Sequence, residues 1–579
     1  MEAAIKEPLL NVHPNLTLSH HRARLLPLLR TTPLLGSRHV HVQHLILAAA
    51  AFFVLVYNFS FWKTFFVATG GVQLANVPLY IASFTLLTLA FNAFLTFFSF
   101  RYVIKPVLIL LFFVTASSSY FMNRYGIAID ASMLQNVMET DVHEATELLS
   151  ASMVLTIAVL GVLPSVLVYH VKLDFPPLRR ALLINPAVII VSLLVAGILM
   201  MGFFKTLAPA VREYRQMRFL LTPTNVIQAG NSFFKHKMAR ATVIAPLGSD
   251  AMKGTLWAQQ KRRTVTIMVV GETARAMNFS LNGYQRDTNP LLSRQAGLLN
   301  FNNVQSCGTA TAISVPCLFS GFTRTDYSED KAKAQEGLLD VLRHAGLQVL
   351  WRDNNSGCKG VCDRVTYEDM SKPKLGDPFC NDEECFDERM LQGLPEIIRD
   401  ARQDLVIVLH QKGSHGPAYW KRYPPAFQRF GPVCTSNELE KCSRESIVAA
   451  YDNTIAYTDY FLSKTIDVLR AAGAADNVDT AFMYFSDHGE SLGEKNMYLH
   501  GAPYFISPDE QRHVPFMLWL DQGYRGRFNL DQRCLEARRG QEFSHDNVFH
   551  SFLGMLNIST AVYNPRLDIF HACTLANQS

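Results

Sequence analysis

Two clusters in this 579-residue chain have the residue types for metal-assisted attack by an oxygen nucleophile. Glu272 closes the run TVTIMVVGE, and Asp487 with His488 closes TAFMYFSDH. Two carboxylates and an imidazole make a ligand set for a divalent cation such as Zn²⁺. Thr311 lies in CGTATAISVPC, Cys307 to Cys317; a hydroxyl is a weak nucleophile at neutral pH, and metal coordination activates it. Each residue also has an ordinary reading. Asp487 and His488 before Gly489 can cap a helix, Glu272 can pair with Arg275, and Thr309, Thr311 and Ser314 can be capping residues. Shared position favours the joint reading over the separate ones.

That position comes from the elements around them. After Thr264, the short apolar runs TVTIMVV, LQVLW, DLVIVL, TAFMYF and VPFMLWL alternate with helix-like segments, the pattern of a mainly parallel α/β sheet with helices on both faces. LQVLW runs into Asp353, Asn354 and Asn355, and DLVIVL into His410 and then His415. Ligands of open α/β sheets bind outside the carboxyl ends of the strands, so four strands aim polar groups at one place.

The N-terminal half is of another kind. Overall 49% of the residues are apolar and 18% charged, and no Asp or Glu occurs between Glu7 and Asp130. Five segments approach the roughly 20 apolar residues of a spanning helix: His44 to Trp62, Val77 to Phe98, Val103 to Met122, Ser152 to Val171 and Asn185 to Phe204. Basic residues are retained on the cytoplasmic side. Arg22, Arg24, Arg30 and Arg38 in the arm, Arg101 and Lys105 after the second span, and Lys172, Arg179 and Arg180 after the fourth therefore place the N-terminus inside. Five spans then deliver everything beyond Phe204 to the far side. The net charge of +5 is small for the length and excludes a nucleic-acid partner as its explanation.

Cysteine usage tests this topology independently, because disulfides persist in oxidising compartments. All ten cysteines follow residue 300. Their spacing in couples predicts Cys307 with Cys317, Cys358 with Cys362, Cys380 with Cys385 and Cys434 with Cys442, leaving Cys534 with Cys573 by elimination. Zinc clusters are the alternative, but no second C-x-x-C or H-x-x-x-H follows at finger spacing. Between the halves, VREYRQMRFLL and NSFFKHKMAR mix basic and aromatic residues, with Pro223 after the first. They read equally as helices on the membrane surface or as a linker packed on the soluble domain. The chain thus divides into an arm (1–42), a five-helix transmembrane domain (43–205), a bridging segment (206–263) and a catalytic α/β domain (264–579).

GETARAMNFSLNGYQRDTNPLL, SCGTATAISVPCLFSG, RDNNSGCKGVC, VLHQKGSHGPAY, YFSDHGESLGE and LHGAP resemble the phosphoethanolamine transferases that modify lipid A, including the mobile colistin-resistance enzymes. The resemblance covers almost the whole chain and implies an extracytoplasmic domain of the alkaline phosphatase and sulfatase superfamily. Position by position, it implies that Glu272, Thr311, Asp487 and His488 hold one zinc, with Thr311 as nucleophile. His415 and His500 match histidines that contact the transferred phosphate or a second zinc, either being a candidate general acid. Asn355, Ser356 and Lys359 match the phosphoethanolamine-binding loop. Asn136 and Glu144, in the acidic connection QNVMETDVHEATE, match membrane-side residues linked with substrate binding.

The implied reaction takes phosphoethanolamine from phosphatidylethanolamine onto Thr311, releases diacylglycerol, and passes the group to a lipid A phosphate. It would occur at a Gram-negative inner membrane, in an enzyme expected to be monomeric, and would lower susceptibility to polymyxins and cationic peptides. Other readings are transfer to core sugars or other envelope glycans, a hydrolytic sulfatase, a lipoteichoic acid synthase, and a non-catalytic membrane-anchored glycolipid-binding protein. A sulfatase would need a C-x-P-S-R type sequence, which the chain lacks, and the last reading would need a vestigial metal set.

Overall fold

The computed structural model describes residues 39–69, 71, 73–127, 129, 131–139, 146, 148–204, 206–207, 217–237, 244–259, 262–374, 376–381 and 384–574. The basic arm through Arg38 and the predicted substrate residue Glu144 lie outside these.

Four long apolar helices form the N-terminal half with a bent pair. The pair is α1 (Val42–Val56) and α2 (Phe59–Ala68), followed by α3 (Val77–Thr96), α4 (Ile104–Tyr125), a short α5 (Ala131–Glu139), α6 (Ala151–His170) and α7 (Leu178–Gly202). Spans two to four fall within a few residues of expectation. The fifth starts earlier than Asn185, because its helix takes in Arg179 and Arg180.

The first expected segment, His44 to Trp62, falls on the bent pair, which turns by 65° between α1 and α2. Asn58 causes the break. Its Nδ2 donates to the carbonyls of Phe53 (2.8 Å) and Thr222 (2.9 Å), and its Oδ1 accepts from Thr222 N (2.7 Å). A short amide side chain that satisfies backbone groups competes with the helical ladder, and hydropathy cannot register it. The same bonds tie the bridging segment, with its helix α8 (Thr224–Lys237), to the first span.

Beyond residue 263 an eight-stranded sheet organises the chain. Its strands are β1 (Thr264–Gly271), β2 (Leu299–Gln305), β3 (Gln348–Asp353), β4 (Thr366–Asp369), β5 (Leu405–His410), β6 (Asp479–Ser486), β7 (His513–Leu520) and β8 (Phe543–Ser544), in spatial order β8-β2-β7-β6-β1-β5-β3-β4. Pairing is parallel except where β7 meets β2 and β6. All residues of β1, β5 and β6 are buried, as expected of central strands covered on both faces. Met268, Val408 and Phe485 face one core with Phe319 and Leu342. Ile267, Leu409 and Tyr484 face the other with Ile455 and Leu462 of the helix Arg444–Ala475.

The two halves dock through polar and close-packed contacts. Arg124 at the end of α4 meets Glu438 at 3.0 Å, and Ser152 donates to the same carboxylate at 2.8 Å. A Cβ at Gly126 would lie 3.0 Å from the Asn496 carbonyl, so the end of α4 abuts the segment that carries His500. All five expected disulfides are present: Cys307–Cys317, Cys358–Cys362, Cys380–Cys385, Cys434–Cys442 and Cys534–Cys573.

Candidate active site

Strand register builds the site. Gly271 pairs with Ser486, and Val270 and Asp353 both pair with His410, so the residues just beyond each strand emerge at one edge. Glu272, Asp487 and His488 converge there, with one ligand atom from each lying within 4.8 Å of the others. All three are buried. Thr311 opens the helix α9 (Thr311–Ser320), after Ala310 in extended conformation. Its hydroxyl donates to Glu272 Oε2 at 2.9 Å and lies 3.3 Å from His488 Nε2. The helix N-terminus adds a partial positive charge where an anion would be attacked.

Each side chain has a fixed orientation. His488 Nδ1 lies 2.9 Å from the Gly489 carbonyl, which holds the ring proton on that nitrogen and leaves Nε2 as a ligand. Asp487 Oδ1 accepts from Thr273 N (3.1 Å) and His488 N (2.7 Å), while Oδ2 is buried without a hydrogen-bond partner among the described residues. Burial and the Glu272 carboxylate push Asp487 up to about 6. Burial acts the same way on Glu272, but the hydrogen bond and charge of His488 outweigh it and hold that carboxyl well below its usual range. For His488, Asp487 and Glu272 overcome burial and raise the imidazole to about 10. Two buried carboxylates, an orphan oxygen and a presented imidazole are what a divalent cation would satisfy. Cys358, Cys362 and Asp363 also cluster, but both thiols are consumed in a disulfide.

The other expected residues surround this centre. Asn355 Nδ2 donates to Glu272 Oε2 at 2.8 Å and to the Gln411 carbonyl at 2.9 Å. Lys359 Nζ reaches the Ser356 hydroxyl at 3.1 Å, from a backbone with φ of 53° between two left-handed glycines, Gly357 and Gly360. His500 lies with its ring 4.4 Å from that of His488 and 5.4 Å from that of His415. Asn136 belongs to α5.

Sequence reasoning named Asp353 and His410 only as strand-end residues and left out Glu490. Glu490 is buried; its Oε2 holds His500 Nδ1 at 2.9 Å, and its Oε1 accepts from Tyr419 OH at 2.6 Å. It lies two residues past His488, a signal within DHGE that the spacing offered. His410, at the end of its strand, bonds Asp353 at 3.1 Å and backs Asn355.

The Cys307–Cys317 bridge closes the turn before Thr311 onto α9. Replacing both cysteines by Ser is expected to cost about 3 kcal/mol of stability by the chain-entropy relation, read as a lowered denaturation midpoint.

A cavity of about 340 Å³ joins the site to the membrane half. Phe121, Tyr125 and Met153 form its apolar wall, and Thr311, Lys359 and His500 line its polar end.

The family model described as Sulfatase matches residues 264–558, and that described as Phosphoethanolamine transferase EptA/EptB matches 87–238. Phosphoethanolamine transferase EptA of Escherichia coli (strain K12) is 40% identical over 91% of this chain and 96% of its own length. Phosphatidylethanolamine transferase Mcr-1 of Escherichia coli is 42% identical over 73% of this chain and 80% of its own. The structure of the integral membrane lipooligosaccharide phosphoethanolamine transferase A from Neisseria meningitidis aligns with a TM-score of 0.88 at 36% identity, covering 93% of this chain and 100% of that one. With both halves matched in one continuous alignment, the chain belongs to the phosphoethanolamine transferase family, an integral membrane enzyme with a sulfatase-type catalytic domain.

Proposed function

We propose that this enzyme moves phosphoethanolamine from phosphatidylethanolamine to a lipid A phosphate, with Thr311 carrying the group between the two lipids. The cavity carries this reading, because it sets a polar phosphate-handling end against an apolar wall built by the membrane helices. A lipid whose headgroup reacts while its acyl chains stay near the bilayer fits that shape. The names of relatives, which specify phosphatidylethanolamine for one and Kdo(2)-lipid A for another, agree with such donors and acceptors.

In the first displacement the Thr311 hydroxyl loses its proton to solvent, its oxygen bonds to the donor phosphorus, and the bond from phosphorus to the glyceride oxygen breaks. His500, oriented by Glu490, supplies the proton that leaves with diacylglycerol. Lys359 and the N-terminus of α9 balance charge on the phosphoryl oxygens. In the second displacement a lipid A phosphate oxygen bonds to the same phosphorus and Thr311 leaves. Zinc fits Glu272, Asp487, His488 and the Thr311 oxygen, and when bound it would favour the ionised hydroxyl and neutralise developing charge. Transfer masks an anionic phosphate with an ammonium group, so cationic peptides and polymyxins bind the outer surface less well. The catalytic half then faces the periplasm and the N-terminus the cytoplasm, in a monomeric inner-membrane enzyme.

Mass spectrometry of lipid A from a susceptible Gram-negative host is the test. A phosphoethanolamine adduct appearing only on expression of the enzyme supports the reading, whereas unmodified lipid A with modified core sugars would move the acceptor. In purified enzyme, Lys359→Ala is expected to raise the donor KM by roughly tenfold, the scale of one charge-assisted contact. Metal content, measured by inductively coupled plasma mass spectrometry, should stay unchanged.

A further inference from the structure

A second polar surface adjoins the nucleophile on a side that the donor cavity does not use. The Arg324 guanidinium carbon lies 3.4 Å from the Tyr504 ring centroid, and that of Arg512 lies 5.4 Å from the same centroid. Arg218, from the bridging segment, lies 4.5 Å over Phe219, whose ring packs 6.1 Å from Phe505. Phe505 is 58% exposed. Two arginine–aromatic groups, Arg324 and Arg512 on Tyr504 and Arg218 on Phe219, thus meet at the consecutive residues Tyr504 and Phe505, and none of these six residues lines the 340 Å³ cavity.

This face is bonded to the turn that leads into Thr311. Tyr504 OH donates to the Ser306 carbonyl at 3.0 Å, Arg324 Nη1 donates to the Cys307 carbonyl at 2.7 Å, and Thr309 Oγ1 donates to the Ala502 carbonyl at 2.6 Å. Three residues lie between Cys307 and Thr311, so the two are at most about 14 Å apart even if fully extended, within the span of a saccharide headgroup. Arg512 keeps capacity for an anion, while Arg324 is shared between the Cys307 carbonyl and the nearby Asp546 carboxylate. Arg512 Nη2 meets Asp509 at 2.5 Å, but that carboxylate is 69% exposed, and Arg512 Nε is buried with no hydrogen-bond partner among the described residues. An exposed ion pair of this kind contributes little, whereas a bidentate phosphate gains paired charge-assisted bonds. The exposed Phe505 ring beside the cations suits a sugar face.

We propose that Arg512, Arg324 and Arg218, set on Tyr504, Phe219 and Phe505, form the acceptor subsite, gripping the distal phosphate of a doubly phosphorylated glycolipid while its near phosphate reaches Thr311. This rests on the covalent Thr311 reading above. The acceptor oxygen then takes the position opposite Thr311 that the glyceride oxygen leaves, while the body of the donor extends along the apolar cavity and that of the acceptor across the arginine face.

Full-length enzyme in detergent separates the two half-reactions. Without acceptor, a fluorescent phosphatidylethanolamine should give a burst of released diacylglycerol. Arg512→Gln and, on an exposed position that cannot disturb the fold, Arg218→Gln are expected to keep this burst. Each should raise the KM for bisphosphorylated lipid A, by about tenfold for Arg512→Gln, and leave the KM for the monophosphorylated form unchanged. Equal changes for both acceptors, or none for either, would overturn the subsite. A wild-type enzyme without a burst would instead overturn the covalent reading beneath it.

Discussion

Thr311→Ala is expected to lower phosphoethanolamine transfer by at least about 10⁴-fold, the scale seen when a covalent nucleophile is removed. The substitution deletes the hydroxyl and one methyl group at a partly buried helix start. Thr311 is the first residue of α9, where Ala is a good helix former. Glu272 Oε2, which loses the Thr311 donor, keeps the Asn355 amide at 2.8 Å. The melting temperature should therefore stay within a few degrees of the wild type. Intact-mass measurement after incubation with donor should show one phosphoethanolamine adduct on the wild type and none on the variant. Thr311→Ser, which keeps an oxygen at the same position, should retain both adduct and turnover. If the Ala variant kept a tenth of wild-type activity, Thr311 would not be the nucleophile.

The parts of this site that could be read from the chain share a physical cause. Glu272, Asp487 and His488 each follow an unbroken apolar run, and such runs are central strands whose ends must align in a parallel sheet. The disulfides were legible because four of the five close short loops, with partners 4 to 10 positions apart in sequence. Strands β2 and β4 left weak signals: LNFNNVQ is only half apolar, and TYED has no apolar alternation. Non-local polar contacts left none. Arg124 and Glu438 are 314 residues apart, and Asn58 finds Thr222 across 164. No local pattern marks such pairs, although one of them breaks a helix and the other docks the two halves.

Removing one metal ligand without disturbing its neighbours should be nearly as damaging as removing the nucleophile, and Asp487→Asn allows that separation. Oδ1 of Asp487 carries the structural load, accepting from the backbone of Thr273 and His488. Oδ2 carries none: it is buried with no hydrogen-bond partner among the described residues, 3.4 Å from His488 Nε2. An Asn of the same shape keeps the first oxygen and replaces the second with an amide nitrogen, which donates hydrogen bonds and does not ligate a cation. Metal stabilisation of transition-state charge contributes several kcal/mol, so transfer should fall by about 10³-fold, with zinc content reduced in parallel. Chelation of the wild type should give the same loss, reversed by added Zn²⁺, whereas the variant should not recover. Stability separates the roles further. In the metal-free wild type two buried carboxylates face each other, and Asp487 is pushed up by burial and by Glu272. The Asn variant removes that repulsion, so at neutral pH its metal-free form should unfold at a denaturant concentration no lower than that of metal-free wild type. Full activity of Asp487→Asn at normal metal content would mean that this carboxylate holds the turn, and that the cation sits elsewhere.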